Sequence, residues 1–206
     1  MWTQFRGPGA AGLITAVALL LTACGTTPPS DSPDTKKGAA SDTQQALTQY
    51  PVGQRPAAPM LTGKTLTGDG LDLSDLRGSV IVLNVWGSWC GPCRAEAPAL
   101  KRASEDTRDL GVRFVGVNTR DNDAAANAFE RNYGITYPSF RDPDGKLLLS
   151  FNGRIPLSAV PSTVFIDRGG RIAARIIGPT TYQTLSELTK DLAAEKPEKR
   201  DRSVAR

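Results

Sequence analysis

The chain has 206 residues, with 25 lysines and arginines against 21 aspartates and glutamates, no histidine and three cysteines, for a formal net charge of +4. That length suits a single domain with a real core and short appendages. So small a charge, without a basic stripe interleaved with aromatics, argues against a nucleic-acid partner.

Arg6 supplies a modest basic region, an apolar run follows from Ala10 to Leu21, and small residues precede Cys24. The run is shorter than the roughly twenty residues of a membrane-spanning helix, so it reads as a secretion signal. Leu21-Thr22-Ala23-Cys24 resembles the lipobox of bacterial lipoproteins. The resemblance implies a signal peptide over residues 1–23, cut before Cys24, whose diacylated thiol then anchors the chain to a membrane; more than one acyl chain makes such anchoring stable. The alternative is an ordinary secretory signal with a spare cysteine. Residues 24–54 are rich in Thr, Ser, Pro, Asp and Gln and poor in apolar side chains, and are expected to form a disordered tether. Residues 195–206 mix both signs of charge and are expected to be a solvated tail.

The domain is expected over residues 55–194. Thr67-Gly68-Asp69-Gly70, between short strand-like pieces from Leu61 to Leu73, predicts a hairpin. Val80 to Trp86 is a continuous apolar run, as in a strand covered on both faces. It leads into Trp89-Cys90-Gly91-Pro92-Cys93 and then a helix from Arg94, with Ala99, Leu100, Ala103 and Leu110 on its inner side. Pro98 lacks the N–H that would bond back to Arg94 and is expected to kink that helix. Val112 to Asn118 predicts a second buried strand, followed by a helix capped near Asp121 or Asn122, and Asp142-Pro143-Asp144-Gly145 a turn. Ser162–Asp167 and Arg171–Ile177 read as strands joined across Arg168-Gly169-Gly170. A last helix is expected from Thr180 or Thr181, burying Tyr182, Leu185, Leu188 and Leu192. The order strand-helix, strand-helix-helix, hairpin and helix predicts an α/β fold with a mixed sheet.

Cys90 and Cys93 carry the chemistry. Two thiols separated by two residues can close a small disulfide and reopen it, a reversible two-electron couple. At a helix N-terminus Cys90 lies near unpaired N–H groups and the positive end of the macrodipole, which favour the reactive thiolate. Cys93, almost a turn further in, is placed to resolve a mixed disulfide on Cys90. A strand before the pair and a helix after it read as a thioredoxin-like redox site. A zinc site wants four ligands, and without histidine only a metal-bridged dimer remains open to the pair. An inert structural staple is disfavoured because so short a loop constrains the unfolded chain little.

Over roughly residues 55 to 193 the chain resembles the TlpA/ResA-like branch of thioredoxin-fold proteins, which are exported, membrane-tethered thiol-disulfide oxidoreductases. The resemblance rests on four features: the segment from Leu83 to Pro98, Val160-Pro161-Ser162-Thr163-Val164-Phe165-Ile166-Asp167, the N-terminal hairpin, and an insertion between Asn118 and Pro161. It implies a thioredoxin fold and a cis proline at Pro161 facing the disulfide, with the backbone at Val160 pairing with substrate. Pro156 is the competing proline, without a strand directly after it. Asn84 stands where cytosolic thioredoxins place a buried acid. An amide cannot handle a proton at neutral pH, so the resemblance, whose branch has a matching glutamate, implies Glu96 as the replacement acid for the proton of Cys93, and a partly buried carboxyl there would have a raised pKa. A solvent-facing helix residue is the alternative for Glu96. Trp89 is expected to shield the sulfurs and offer a docking surface, Trp86 to pack in the core, and Gly91-Pro92 to tune the dithiol against the disulfide.

The leading expectation is an extracytoplasmic reductant without cofactor or metal, lipid-anchored to the cell membrane and monomeric. It would act on disulfide-bearing exported proteins such as apocytochrome c and draw electrons from a membrane thiol carrier. The alternatives are a disulfide-forming oxidant using the same residues, and a non-catalytic binding or metallochaperone lipoprotein. Copper delivery would want His or Met near the cysteines, and only Met1 and Met60 are present.

Overall fold

A computed structural model describes residues 46–151, 153 and 159–196. The expected signal peptide, the lipid site at Cys24, the tether as far as residue 45, Pro156 and the tail beyond residue 196 lie outside the described residues.

The central sheet has six strands: β1 (Ala46–Gln49), β4 (Val80–Trp86), β5 (Val112–Thr119), β6 (Ser139–Asp142), β7 (Ser162–Ile166) and β8 (Ile172–Ile177), in the spatial order β1-β8-β7-β4-β5-β6. β4, β5 and β6 run parallel, while β7, β8 and β1 pair antiparallel, so the sheet is mixed. β2 (Thr62–Lys64) and β3 (Gly70–Asp72) form the separate hairpin expected around Gly68. The helices are α1 (Gly91–Asp106), α2 (Asp123–Tyr133), the single turn α3 (Lys146–Leu149) and α4 (Tyr182–Ala194).

β4 is buried at every position because both faces are covered. Ile81, Leu83 and Val85 point into one core with Val115, Val117, Phe140 and Phe151. Val80 and Val82 point the other way, against Leu100 and Ala103 of α1 and Leu185 and Leu192 of α4. Burying each such side chain contributes about 1.5–3 kcal/mol, which fixes β4 as the axis of the domain. Trp86, at its C-terminal end, joins a third cluster with Cys90, Cys93, Ala97, Ala126 and Phe129.

Several expectations need correction. The domain begins before residue 55: Ala46–Gln49 pairs with β8 and Tyr50 N–H donates to the Ala173 carbonyl at 2.8 Å. It also extends past residue 194, since Glu195 takes two 2.7 Å hydrogen bonds from the Arg55 guanidinium. Between β5 and β7 a strand, β6, separates α2 from α3, where two helices were expected in succession. Leu110 is 43 % exposed and lies beyond α1, because Thr107 closes the helix by donating from Oγ1 to the Ala103 carbonyl at 2.7 Å. Cys93, Glu96 and Ala97 take up the inner face with Leu100 and Ala103. The helix expected from Arg94 already starts at Gly91 and continues through Pro98 to Asp106. On α4, Tyr182 and Leu188 are only partly buried.

Candidate active site

Strand register assembles the site. Trp86 pairs with Asn118 on parallel β5, so the chain leaving β5 at Arg120 and Asp121 runs beside Gly87–Trp89. Val85 pairs with Ser162 on antiparallel β7, so Pro161 falls beside the end of β4. Three loops thus converge where β4 gives way to α1.

Cys90 is the N-cap of α1, with extended backbone, and its sulfur accepts from the Cys93 N–H at 3.1 Å. Pro92 lies in the first turn, where its missing N–H costs nothing. The two sulfurs are joined in a disulfide and both residues are buried. Gly91 and Pro92 are exposed beside them, and Trp89 keeps 47 % of its surface exposed. When the bond opens, a thiolate at Cys90 inherits the helix-end donor and the positive end of the dipole.

Asp121 fixes the loop ahead of the pair. Its carboxylate accepts from Ser88 N–H at 2.6 Å, Ser88 Oγ at 2.8 Å, Asn118 Nδ2 at 2.9 Å and Asn122 N–H at 2.9 Å. Burial works to raise its pKa, but those hydrogen bonds outweigh it and hold the carboxyl below its ordinary range. Arg94 donates from Nε and Nη2 to the carbonyls of Ser88 and Trp89, and Trp89 Nε1 donates to the Thr119 carbonyl at 3.4 Å. Gly87 is required here: a Cβ would meet the Trp89 ring at 2.5 Å. Sequence reasoning saw Asp121 only as a possible helix cap, because its partner Ser88 lies 33 residues away.

Glu96 is on the inner face of α1 and only 2 % exposed, so the solvent-facing alternative does not hold. Asn84 Nδ2 donates to its Oε1 at 2.9 Å, and the Thr180 N–H donates to Oε2 at 2.8 Å. Burial pushes its pKa up to about 7, against the opposing pull of those two donors. Asn84 and Cys93 both line a small internal cavity of about 10 Å³, with Trp86, Phe129 and Tyr137, which is at the lower limit for one water. A titratable group near neutrality therefore sits one hydrogen bond from a cavity that touches the inner sulfur.

The Val160–Pro161 bond is cis. Val160 is half-buried and packs against the cluster holding both cysteines, while the Pro161 carbonyl accepts from Gly178 N–H at 3.0 Å. Trp86 is core: it stacks on Phe129 with ring centres 4.5 Å apart and donates from Nε1 to Ser139 Oγ. Cys90, Cys93, Glu96, Trp89, Gly91, Pro92, Val160 and Pro161 thus gather around one end of β4.

Residues 40–192 match the redoxin family. The chain is 31 % identical over 136 residues to the thiol-disulfide oxidoreductase ResA of Bacillus subtilis, covering 66 % of this chain and 76 % of that one. Among solved structures, a DsbF homologue from Corynebacterium diphtheriae is 35 % identical with a TM-score of 0.68, covering 74 % of this chain and 97 % of the other. A secreted thiol-disulfide isomerase from Corynebacterium glutamicum is 30 % identical with a TM-score of 0.69, covering 83 % and 100 %.

Proposed function

The chain belongs to the redoxin family, as a TlpA/ResA-like thiol-disulfide oxidoreductase of thioredoxin fold, and from that premise we propose that it reduces disulfides of exported proteins from a lipid anchor at Cys24. The observation that carries the chemistry is the Cys90–Cys93 disulfide capping α1, with Glu96 buried behind it.

In the reduced form the Cys90 thiolate attacks one sulfur of a substrate disulfide. The substrate S–S bond breaks, a mixed disulfide to Cys90 forms, and the first substrate sulfur leaves as a thiolate and takes up a proton. Cys93 then passes its proton to the Glu96 carboxylate, directly or through the small cavity, and attacks Cys90 Sγ. The second substrate sulfur leaves and is protonated, and the Cys90–Cys93 bond closes. Two electrons and two protons move from the dithiol to the substrate. Trp89 and the backbone at Val160 offer the surfaces on which substrate lies.

Re-reduction falls to a membrane thiol carrier, since an extracytoplasmic site is beyond cytosolic reductants. Apocytochrome c is among the substrates the family resemblance implies, and the protein acts as a monomer at the outer face of the cell membrane. The reducing direction is supported by the Gly91-Pro92 dipeptide, shared with thioredoxin at about −270 mV. The deciding measurement is the equilibrium potential of the full chain in thiol buffers, read by alkylation. A value at or below about −240 mV is expected, and one near about −120 mV would make the protein an oxidant. Full biological activity in Cys90→Ser would remove exchange chemistry from its function.

A further inference from the structure

Two arginines beside the redox pair stand where local physics disfavours them. Arg94 is in the first turn and a half of α1, near the positive end of the helix dipole, and no acidic residue occupies the first turn to compensate. Arg120 has φ of 49°, the left-handed region that a residue with a Cβ enters only at a cost. Both positions serve Trp89, the residue ahead of Cys90. Arg94 holds the Ser88 and Trp89 carbonyls at 3.2 and 3.3 Å, and the Arg120 guanidinium lies 5.5 Å from the centre of the Trp89 ring.

Among the described residues neither arginine is ion-paired with a carboxylate. The acids on the adjoining segments are engaged elsewhere. Asp121 is filled by Ser88, Asn118 and Asn122, Asp123 pairs with Arg141 at 2.6 Å, and Glu96 is buried. The rim of the disulfide is therefore an exposed aromatic face with two arginines in no ion pair, beside the Asp121 carboxylate that neutral donors occupy. A guanidinium fork matches a carboxylate in geometry as well as charge.

We propose that this rim selects acidic substrates: disulfide-bearing polypeptides with aspartate or glutamate next to the reacting cysteine. Arg120 receives the carboxylate and Arg94 adds positive charge while its Nε and Nη2 stay on the Ser88 and Trp89 carbonyls, and Trp89 covers the apolar part of the same segment. The inference rests on the dithiol-exchange reading and names the substrate class for that site.

The test uses the full chain and three disulfide-linked peptides that differ only in whether Asp, Asn or Lys flanks the cysteine. At low salt the Asp peptide should be reduced with a kcat/KM roughly tenfold or more above that of the Lys peptide. High salt should shrink that ratio. Arg120→Gln should bring it towards one, further with Arg94→Gln added, while Arg120→Lys keeps part of it. Equal rates for the three peptides in the native chain, or a ratio untouched in the double variant, would overturn the inference and leave the exchange reading standing. Failure to reduce any of them, Asn included, would overturn both. Charge-blind exchange combined with arginine-dependent binding to anionic phosphatidylglycerol vesicles would assign the rim to a membrane surface instead.

Discussion

At Glu96 a single carboxyl couples proton chemistry to stability. Its ordinary pKa is 4.5 and burial raises it to about 7 in the oxidised protein. Between those values the folded chain holds a proton that the unfolded chain has released. The stabilisation is complete below pH 4.5 and is lost as pH rises through about 7, a change of about 3 kcal/mol for a shift of that size. Chemical denaturation of the oxidised protein should therefore show stability falling by about that amount between about pH 5 and about pH 8. Glu96→Gln should flatten that dependence. Its absolute stability is a poorer measure, because the new amide turns a donor towards either Asn84 Nδ2 or the Thr180 N–H. Gly116 is constrained by contact rather than charge. A Cβ there would run into Ser139 Oγ and meet Trp86 Nε1 at 2.7 Å, displacing the Trp86–Ser139 hydrogen bond and the stack on Phe129. Gly116→Ala should cost about 3 kcal/mol in the same measurement, because β5 is too deeply packed to yield.

Among the elements, β1 contributes more than its composition suggests. Ala46–Gln49 is mostly exposed and carries no alternating apolar pattern, so its pairing with β8 is decided by the sheet edge it finds. The same holds for β6, whose four residues Ser139–Asp142 include one large apolar side chain, Phe140. Strands of that kind are not legible in sequence, whereas β4 and β5, with their long apolar runs, are. The redox motif, the hairpin around Gly68 and the cap at Asn122 were legible for the same reason: each is specified by residues adjacent in the chain. The Asp121–Ser88 anchor and the Thr180–Glu96 bond join distant segments and leave no local trace. Arg55 links the two ends of the domain, donating to Asp167 at 3.0 Å and to Glu195 at 2.7 Å, and Glu195 foremost holds its guanidinium more firmly charged than usual. A fragment of residues 55–194 would lose β1, the packed Tyr50 ring and Glu195 together. It should unfold about 2–4 kcal/mol more easily than residues 46–196, on the scale of a few lost hydrogen bonds and a partly buried ring.

For the whole molecule, the topology places the redox pair at the C-terminal end of the central strand, between parallel β5 and antiparallel β7, packed with side chains of β4, α1 and α2. Because the pair is buried in that cluster, its redox state is linked to the stability of the fold, and the potential can be read as a stability difference. Oxidation and unfolding form a closed cycle, so the difference in unfolding free energy between the disulfide and dithiol forms equals the difference in their potentials between the unfolded and folded chain. Each 30 mV by which folding makes the pair more reducing adds about 1.4 kcal/mol to the oxidised form relative to the reduced form. A strong oxidant has the opposite bias, because its fold stabilises the dithiol. Here the apolar cluster around both sulfurs favours the closed pair, because opening it puts a thiolate charge in that cluster, while the Cys93 N–H and the helix end act in the opposite sense. Denaturant titration of matched oxidised and reduced samples at neutral pH should find the oxidised form the more stable. A more stable reduced form would place the folded pair's potential above that of the unfolded chain and argue against the reducing direction, because the cycle ties the two differences together.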